Sequence, residues 1–266
     1  MKSTQSLAPE SLRVLVFEDN AMDATMIRRF LAVNGFQSKN IMTTDHLPSA
    51  MDILSRDQVD ICLTDYQLAP KTGLDLMDEA RRCEIDVPFI MLSALNDPYL
   101  DNEALARGAY NFIVKGDMTA EGLERTIRYA LARHSQEKIL TKAALFDPLS
   151  NLFNRQVVMD KLLETIMNAP KNGQSLGAVV HINLNGLKFI NESYGIKVGD
   201  AILRETGRRL KSLKWPDETM GRLGSDEFAC LAAQVTDSGQ AMVIARRIAT
   251  VFAQPVRTFD SEHEVS

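Results

Sequence analysis

Cysteine is scarce in this 266-residue chain. The three present, Cys62, Cys83 and Cys230, are odd in number and scattered. That excludes a disulfide framework and any paired zinc spacing, and it fits a reducing compartment, so a cytoplasmic protein is expected. A basic excess is also lacking. The 30 Lys and Arg stand against 35 Asp and Glu, a net charge of −5, and no long basic run appears. Nothing therefore points to a nucleic-acid partner. No apolar run approaches the length of a membrane span, so no membrane insertion is expected. The opening residues 1–6 lack the apolar core of a secretory signal, and residues 1–11 read as a flexible tail. With 45% apolar and 24% charged residues the composition is that of an ordinary globular protein. The length suggests two domains.

Four apolar runs organise the first half. Residues 13–17 end in Glu18 and Asp19. The run Ile61-Cys62-Leu63 is too short for a helix and reads as a buried strand that stops at Asp65, with Pro70 and Gly73 soon after. Residues 87–92 end in Ser93, and residues 111–114 end in Lys115. Helical patterns lie between these runs, so the strands should be parallel, with their carboxyl ends on one edge. Open α/β sheets bind ligands at that edge. Alone, Asp65 reads as the start of a turn; its companions change that. Three carboxylates gathered there repel one another unless a cation joins them. A hard divalent ion such as Mg²⁺ takes oxygen ligands and keeps several waters, which leaves a place for a phosphoryl group.

On these positions, residues 12–133 resemble the receiver domain of bacterial two-component response regulators. The resemblance makes Glu18 and Asp19 the family's acidic pair and Asp65 its phosphoacceptor. Ser93 matches the switch hydroxyl, Phe112 the switch aromatic and Lys115 the active-site lysine. It implies Mg²⁺ held by Glu18, Asp19 and Asp65. It also implies transfer of a phosphoryl group to Asp65 from a phosphohistidine of a sensor histidine kinase or phosphotransfer protein. Gly116 departs from the pattern, because the family usually has proline after the lysine.

The expected fold of this part is a doubly wound, five-stranded parallel sheet of the flavodoxin-like kind. A helix over 20–33 presents Met22, Met26, Ile27, Phe30, Leu31 and Val33 as one face, and Asn34-Gly35 ends it. A short strand lies near 41–43, and further helices over 47–55, 73–82 and 100–108. Thr119 caps the last helix. From 123 to 145 there is neither glycine nor proline. At ~1.5 Å per residue this segment runs roughly 35 Å, more than a receiver needs. The linker over 119–145 reads either as a spacer or as a signalling helix that pairs in a homodimer. His134 and Ser135 interrupt its heptad pattern.

Pro148 opens the second half. Residues 146–155 form a turn with apolar anchors, followed by a helix over 156–167 and a polar loop over 169–175. A strand over 177–182 leads to a helix over 189–194 and a long helix ending at 213. Residues 221–228 make a hairpin turn with Asp226 and Glu227 at its tip. A returning strand over 229–232 and a helix over 239–252 follow. By itself an acidic tip is an ordinary solvated turn.

Two stretches carry a second resemblance. Residues 146–155, and the pentapeptide Gly224-Ser225-Asp226-Glu227-Phe228, are similar to the opening motif and the signature of the GGDEF domain of diguanylate cyclases. Ser225 replaces the second glycine of that signature. The resemblance spans 146–266 and implies an α/β, nucleotide-cyclase-like domain. In that family two GTP molecules are joined with metal ions between carboxylates. Here Asn183 and Asn185 stand where the family has acids. Asparagine keeps a carbonyl oxygen and loses the charge. Asp226 and Glu227 remain. Asn183, Lys188, Asn191 and Asp200 are the candidate GTP contacts, the last two for guanine. Trp215 and Glu218 stand where the family has its Arg-x-x-Asp product-binding motif, so no inhibitory site is expected. Past 256 the family's last strands and helix do not follow. An incomplete domain with its C-terminal part missing and an open sheet edge is therefore expected.

Two functions fit this pattern. One is a phosphorelay response regulator, phosphorylated on Asp65, whose degenerate output domain has lost cyclase activity. That domain would act by binding GTP or other cyclic di-GMP signalling proteins. The alternative is an active, phosphorylation-gated diguanylate cyclase that converts two GTP to cyclic di-GMP. The chain would also fit as the N-terminal part of a longer GGDEF-EAL protein.

Overall fold

The computed structural model describes residues 8–56, 59–169, 176–213, 218–235, 237–252, 255–258 and 261–263. Two compact units divide the chain, Met1–Lys138 and Ile139–Ser266.

In the first unit, strands β1 (Val14–Phe17), β2 (Ile41–Thr44), β3 (Ile61–Asp65), β4 (Phe89–Ser93) and β5 (Asn111–Val114) alternate with helices. The helices are α1 (Ala21–Val33), α2 (Leu47–Arg56), α3 (Gly73–Arg82), α4 (Pro98–Ala106) and α5 (Ala120–Leu145), whose residues past Lys138 belong to the second unit. These five strands form one sheet whose pairs are all parallel, in the order β2-β1-β3-β4-β5. Every residue of β1, β3 and β4 is buried. That is why these strands read as continuous apolar runs: helices cover both faces. Val14, Val16, Ile61, Leu63, Ile90 and Leu92 cluster with Ile27 and Leu31 of α1 and Leu123 and Ile127 of α5. Leu15, Phe17, Cys62 and Met91 cluster with Leu54, Leu74, Met77 and Ala104 of α2, α3 and α4.

Local chemistry sets the helix ends. Asn20 accepts hydrogen bonds from the backbone of Met22 and Asp23 and so starts α1. Asn34 and the left-handed Gly35 end it. Thr72 and Asp75 form a reciprocal capping box on α3. Helix α4 starts at Pro98, two residues before the predicted start, and Asp97 caps it. The backbone of Gly122 donates to Thr119 Oγ1 at the start of α5. Two residues assigned to the apolar face of α1 do not lie on it. Met22 is 79% exposed and Val33 71%. The buried stripe runs through Ala24, Ile27 and Leu31. At about 100° per residue, positions 22 and 33 fall on the far side of the helix.

Polar contacts hold α5 to this unit beyond its apolar stripe. Tyr110 Oη donates to Glu137 Oε2 at 2.6 Å and lies 2.9 Å from His134 Nδ1. Lys138 Nζ is 2.6 Å from Asp86. Burial and the Glu137 carboxylate push the Tyr110 hydroxyl well above its ordinary pKa. Among the described residues, no helix is long and apolar enough to cross a membrane.

The second unit contains helices α6 (Arg155–Met167), α7 (Leu187–Tyr194), α8 (Ile196–Ser212) and α9 (Ser238–Phe252). Its strands are β6 (Leu176–Asn183), β7 (Glu218–Arg222), β8 (Glu227–Val235), β9 (Val256–Thr258) and β10 (Ser261–His263). A three-stranded antiparallel sheet has β8 in its centre, between β6 and β7. Phe228, Cys230, Ile202, Leu203 and Leu210 share one core, and Val158, Ala229 and Leu231 a second on the opposite face. Phe146 and Phe153 stack with ring centroids 4.9 Å apart. The returning strand is longer than expected and begins at Glu227, so only Asp226 of the acidic pair lies in the turn. The described residues after 255 form a two-stranded antiparallel ladder of β9 with β10. The predicted loop over 169–175 lies outside the described residues apart from Ala169.

Gly73 shows how tightly the first unit closes under its strand ends. A Cβ there would collide with the carbonyl of Asp65 and with Thr64 Oγ1, and would lie 3.0 Å from Met91 Sδ. Two of those atoms belong to the strand that carries Asp65. Gly73→Ala should therefore lower stability by about 1–3 kcal/mol through overpacking. Urea unfolding of the two proteins checks this; an unchanged midpoint would contradict it.

Candidate functional site

Parallel pairing brings the ends of β1, β3, β4 and β5 to one edge. Asp65 pairs with Leu92, and Ser93 with Val114. One carboxylate oxygen from each of Glu18, Asp19 and Asp65 lies within 4.8 Å of the others. Among the described residues, no other group of three acid, histidine or cysteine ligands comes together this way. Glu18 and Asp65 are buried, whereas Asp19 is exposed. Asn20 braces the turn from below, its backbone donating to Glu18 Oε1.

Lys115 reaches into this cluster with its side chain 7% exposed. Its Nζ stands 2.7 Å from Glu18 Oε2, 2.8 Å from Asp23 Oδ2 and 2.9 Å from Asp65 Oδ2. Burial alone pulls the lysine pKa down, but its hydrogen bonds to Asp23, Glu18 and Asp65 outweigh that, and the net shift is upward. Glu18 moves the other way for a carboxylate. Burial, partly offset by Lys115 and reinforced by the charge on Asp65, pushes it up to about 7. The two shifts are consistent: one ammonium cannot neutralise all of these acids, and the most deeply buried one carries the deficit.

Ser93 is buried at the end of β4, where its Oγ accepts from the backbone of Leu95 at 3.1 Å. Phe112 is half-buried and packs with the cluster that contains Met91. The six receiver residues singled out in the sequence thus lie on or beside one strand edge. Asp23 was missed. It sits one helical turn beyond Asp19 in a helix that starts after Asn20, a spacing that could have revealed it.

In the second unit, Asn183 ends β6 directly opposite Glu227, the first residue of β8. The backbone of Leu184 donates to the Asp226 carbonyl at 2.9 Å. The turn over 223–226 closes where the backbone of Leu223 donates to the Glu227 carbonyl at 2.8 Å. Ser225 Oγ donates to Asp226 Oδ1 at 2.7 Å. Gly224 is exposed in the same turn, whereas Phe228 is fully buried and serves the core. The opening motif braces this hairpin. Arg222 Nη1 is 3.1 Å from Asp147 Oδ1, and its Nη2 donates to the Ser225 carbonyl at 2.7 Å. Burial pushes the Asp147 carboxyl up, but hydrogen bonds from Ser150 and Arg222 outweigh it and hold it below the usual carboxylate range.

Asn191 and Asp200 lie on α7 and α8, which pack together. Asn191 Oδ1 is buried without a hydrogen bond and presses on Gly199, beside Asp200. Lys188 and Asn185 are exposed. His181, which was also missed, brings Nε2 to 3.6 Å from Glu227 Oε1. It lies two residues before Asn183, hence on the same strand face. Trp215 lies outside the described residues. Glu218 contacts Cys230 Sγ at 3.5 Å, and burial raises its pKa.

With this geometry in view, comparison with known proteins finds two families. The response regulator receiver domain matches residues 14–128, and the diguanylate cyclase, GGDEF domain matches residues 144–266. The bifunctional diguanylate cyclase/cyclic di-GMP phosphodiesterase MucR of Pseudomonas aeruginosa is 32% identical over 149 residues, 56% of this chain and 21% of that protein. The diguanylate cyclase VdcA of Vibrio cholerae is 35% identical over 116 residues, 44% of this chain and 30% of its own length. A sensory box/GGDEF family protein from Caulobacter crescentus of known crystal structure is 33% identical, with a TM-score of 0.43, over 46% of this chain and 79% of that one. The chain thus spans about a fifth of the length of MucR.

The raised Glu18 pKa makes a signed prediction. Its folded value of about 7 exceeds the reference value of 4.5, so the unfolded chain loses this proton first as pH rises. In metal-free buffer the group's contribution to stability should fall between those two values. Urea unfolding of the parent and of Glu18→Gln across this pH range isolates the effect. The parent should lose stability relative to the variant as pH rises; a constant difference would contradict the assignment.

Proposed function

We propose that this chain, a response regulator receiver domain followed by a GGDEF domain, is a phosphorylation-controlled switch in cyclic di-GMP signalling. Its second domain works by binding, without synthesis. The observation that carries the first half is Lys115 Nζ held at 2.7–2.9 Å among Glu18, Asp23 and Asp65. The carboxylate trio fits a hard divalent cation, being all oxygen donors around a deficit of positive charge. Glu18, Asp19 and Asp65 would hold Mg²⁺, which neutralises charge on the phosphoryl oxygens when bound.

The residues of the chain perform the rest. An Asp65 carboxylate oxygen attacks the phosphorus of a phosphohistidine on a sensor kinase or phosphotransfer protein. The new O–P bond forms as the P–N bond breaks. The departing imidazole keeps the electron pair and takes a proton from solvent. Lys115 donates to a phosphoryl oxygen, and the Ser93 hydroxyl, at the next strand end, turns toward the product. Phe112 follows Ser93 into the space it leaves. Exposed Tyr129, Ile139 and Leu140 on α5 supply a surface on which two copies pair once phosphorylated. These partners and GTP are cytoplasmic, and the protein is placed there.

Asn183 supports the loss of synthesis. It stands opposite Glu227, where a second carboxylate would be needed to hold a metal against a triphosphate. Asn191 Oδ1, buried and unpaired beside Asp200, supports retained recognition of guanine. That same observation favours the second reading, an active cyclase, and the two part company only on catalysis.

Acetyl phosphate with Mg²⁺ should add one phosphoryl group to the parent and none to Asp65→Asn, read by intact-protein mass. With GTP, neither the unmodified nor the phosphorylated parent should form cyclic di-GMP. Product formation by the parent would overturn the binding role in favour of the cyclase, and equal labelling of Asp65→Asn would overturn the phosphoacceptor.

A further inference from the structure

On the reading of Asp65 as the phosphoacceptor, we propose that Asp23 is a positioning residue. It holds the Lys115 ammonium in the unphosphorylated receiver and so sets how readily Asp65 takes a phosphoryl group. An ammonium has three hydrogens to donate. Lys115 Nζ has three carboxylate oxygens at hydrogen-bond distance, from Glu18, Asp23 and Asp65. The hydrogen bond of the ammonium goes to Asp23 Oδ2, and the Glu18 and Asp65 oxygens stand at ion-pair distance. Of these acids, Asp23 lies outside the trio suited to a cation. It comes from the first turn of α1, where Asn20 fixes its backbone. Its side chain is 29% exposed, against 0% for Glu18 and 8% for Asp65, so it is the most open of the three.

Two effects of Asp23 act in the same direction. To stabilise the product, Lys115 must transfer a hydrogen bond to the phosphoryl oxygen, and the charge-assisted bond to Asp23, 2.8 Å long, opposes any shift of the ammonium. The Asp23 carboxylate also repels the incoming phosphate. A cation held by Glu18, Asp19 and Asp65 would offset the charge of those three and leave that of Asp23 standing. Removing the charge at 23 therefore frees the lysine and lowers the repulsion together.

The test uses the full chain with acetyl phosphate and Mg²⁺ at constant ionic strength. In the reaction the acetyl O–P bond breaks, the Asp65 O–P bond forms, and acetate leaves with the electron pair. Asp23→Asn should speed phosphorylation of Asp65 by about fivefold, the scale of one partly exposed charged contact. Beryllofluoride with Mg²⁺ should bind that variant more tightly by a similar factor. Asp23→Glu, which restores the charge, should return both values to the parent's. A merely structural role would slow phosphorylation and would not be rescued by charge. If the parent takes up phosphate and Asp23→Asn is equal or slower, the role of Asp23 is overturned while Asp65 stands. If the parent takes up none, the phosphoacceptor reading fails, and the role of Asp23 with it.

Discussion

A single buried ammonium holds the functional edge of the first sheet together. Glu18 and Asp65 are carried there by parallel strands, and Asp23 by the helix that follows β1. Left to themselves these acids would repel one another in a poorly solvated place. Lys115 joins them across the ends of β1, β3 and β5, and still leaves the cluster short of positive charge. That deficit appears as the raised pKa of Glu18. A site built this way is poised to accept a cation, and through it an anion, because either arrival relieves a strain already present. The tight closure of Gly73 under Asp65 and the caps at Asn20 and Thr72 keep the groups in place while charge changes.

The second unit offers the contrasting case. Its signature hairpin is firmly braced by Arg222, Asp147 and the stacked Phe146–Phe153 pair. These contacts fix the backbone of the turn that carries Asp226. Asn183 faces Glu227 across the ladder, and His181 stands at the same carboxylate. A neutral amide and an imidazole thus stand beside the Glu227 carboxylate, where the first sheet gathers further acids.

Much of the first sheet was legible because its strands are buried on both faces. Unbroken apolar runs ending in polar groups give strand direction and the position of the site together. The site residues Glu18, Asp65, Ser93 and Lys115 were legible for the same reason. Asp23 was hidden because an acid in the first turn of a helix already has an ordinary explanation in the helix dipole. Met22 and Val33 misled because apolar character was counted without regard to angle around α1. In the second unit the turn was legible from its glycine and acids, but the start of β8 was not. Glu227 belongs to the strand through its pairing with Asn183, a long-range contact that no local pattern encodes. The β9–β10 ladder was illegible for a related reason, since each strand is three residues long and exists only through its pairing with the other.

The cation deficit at the Glu18–Asp19–Asp65 edge is tested most directly by calorimetric titration of the nucleotide-free chain with Mg²⁺. A single saturable site should be seen in the parent and should vanish when Glu18 and Asp19 are both replaced by their amides. Binding that is absent from the parent, or that survives unchanged in the double variant, would contradict the account.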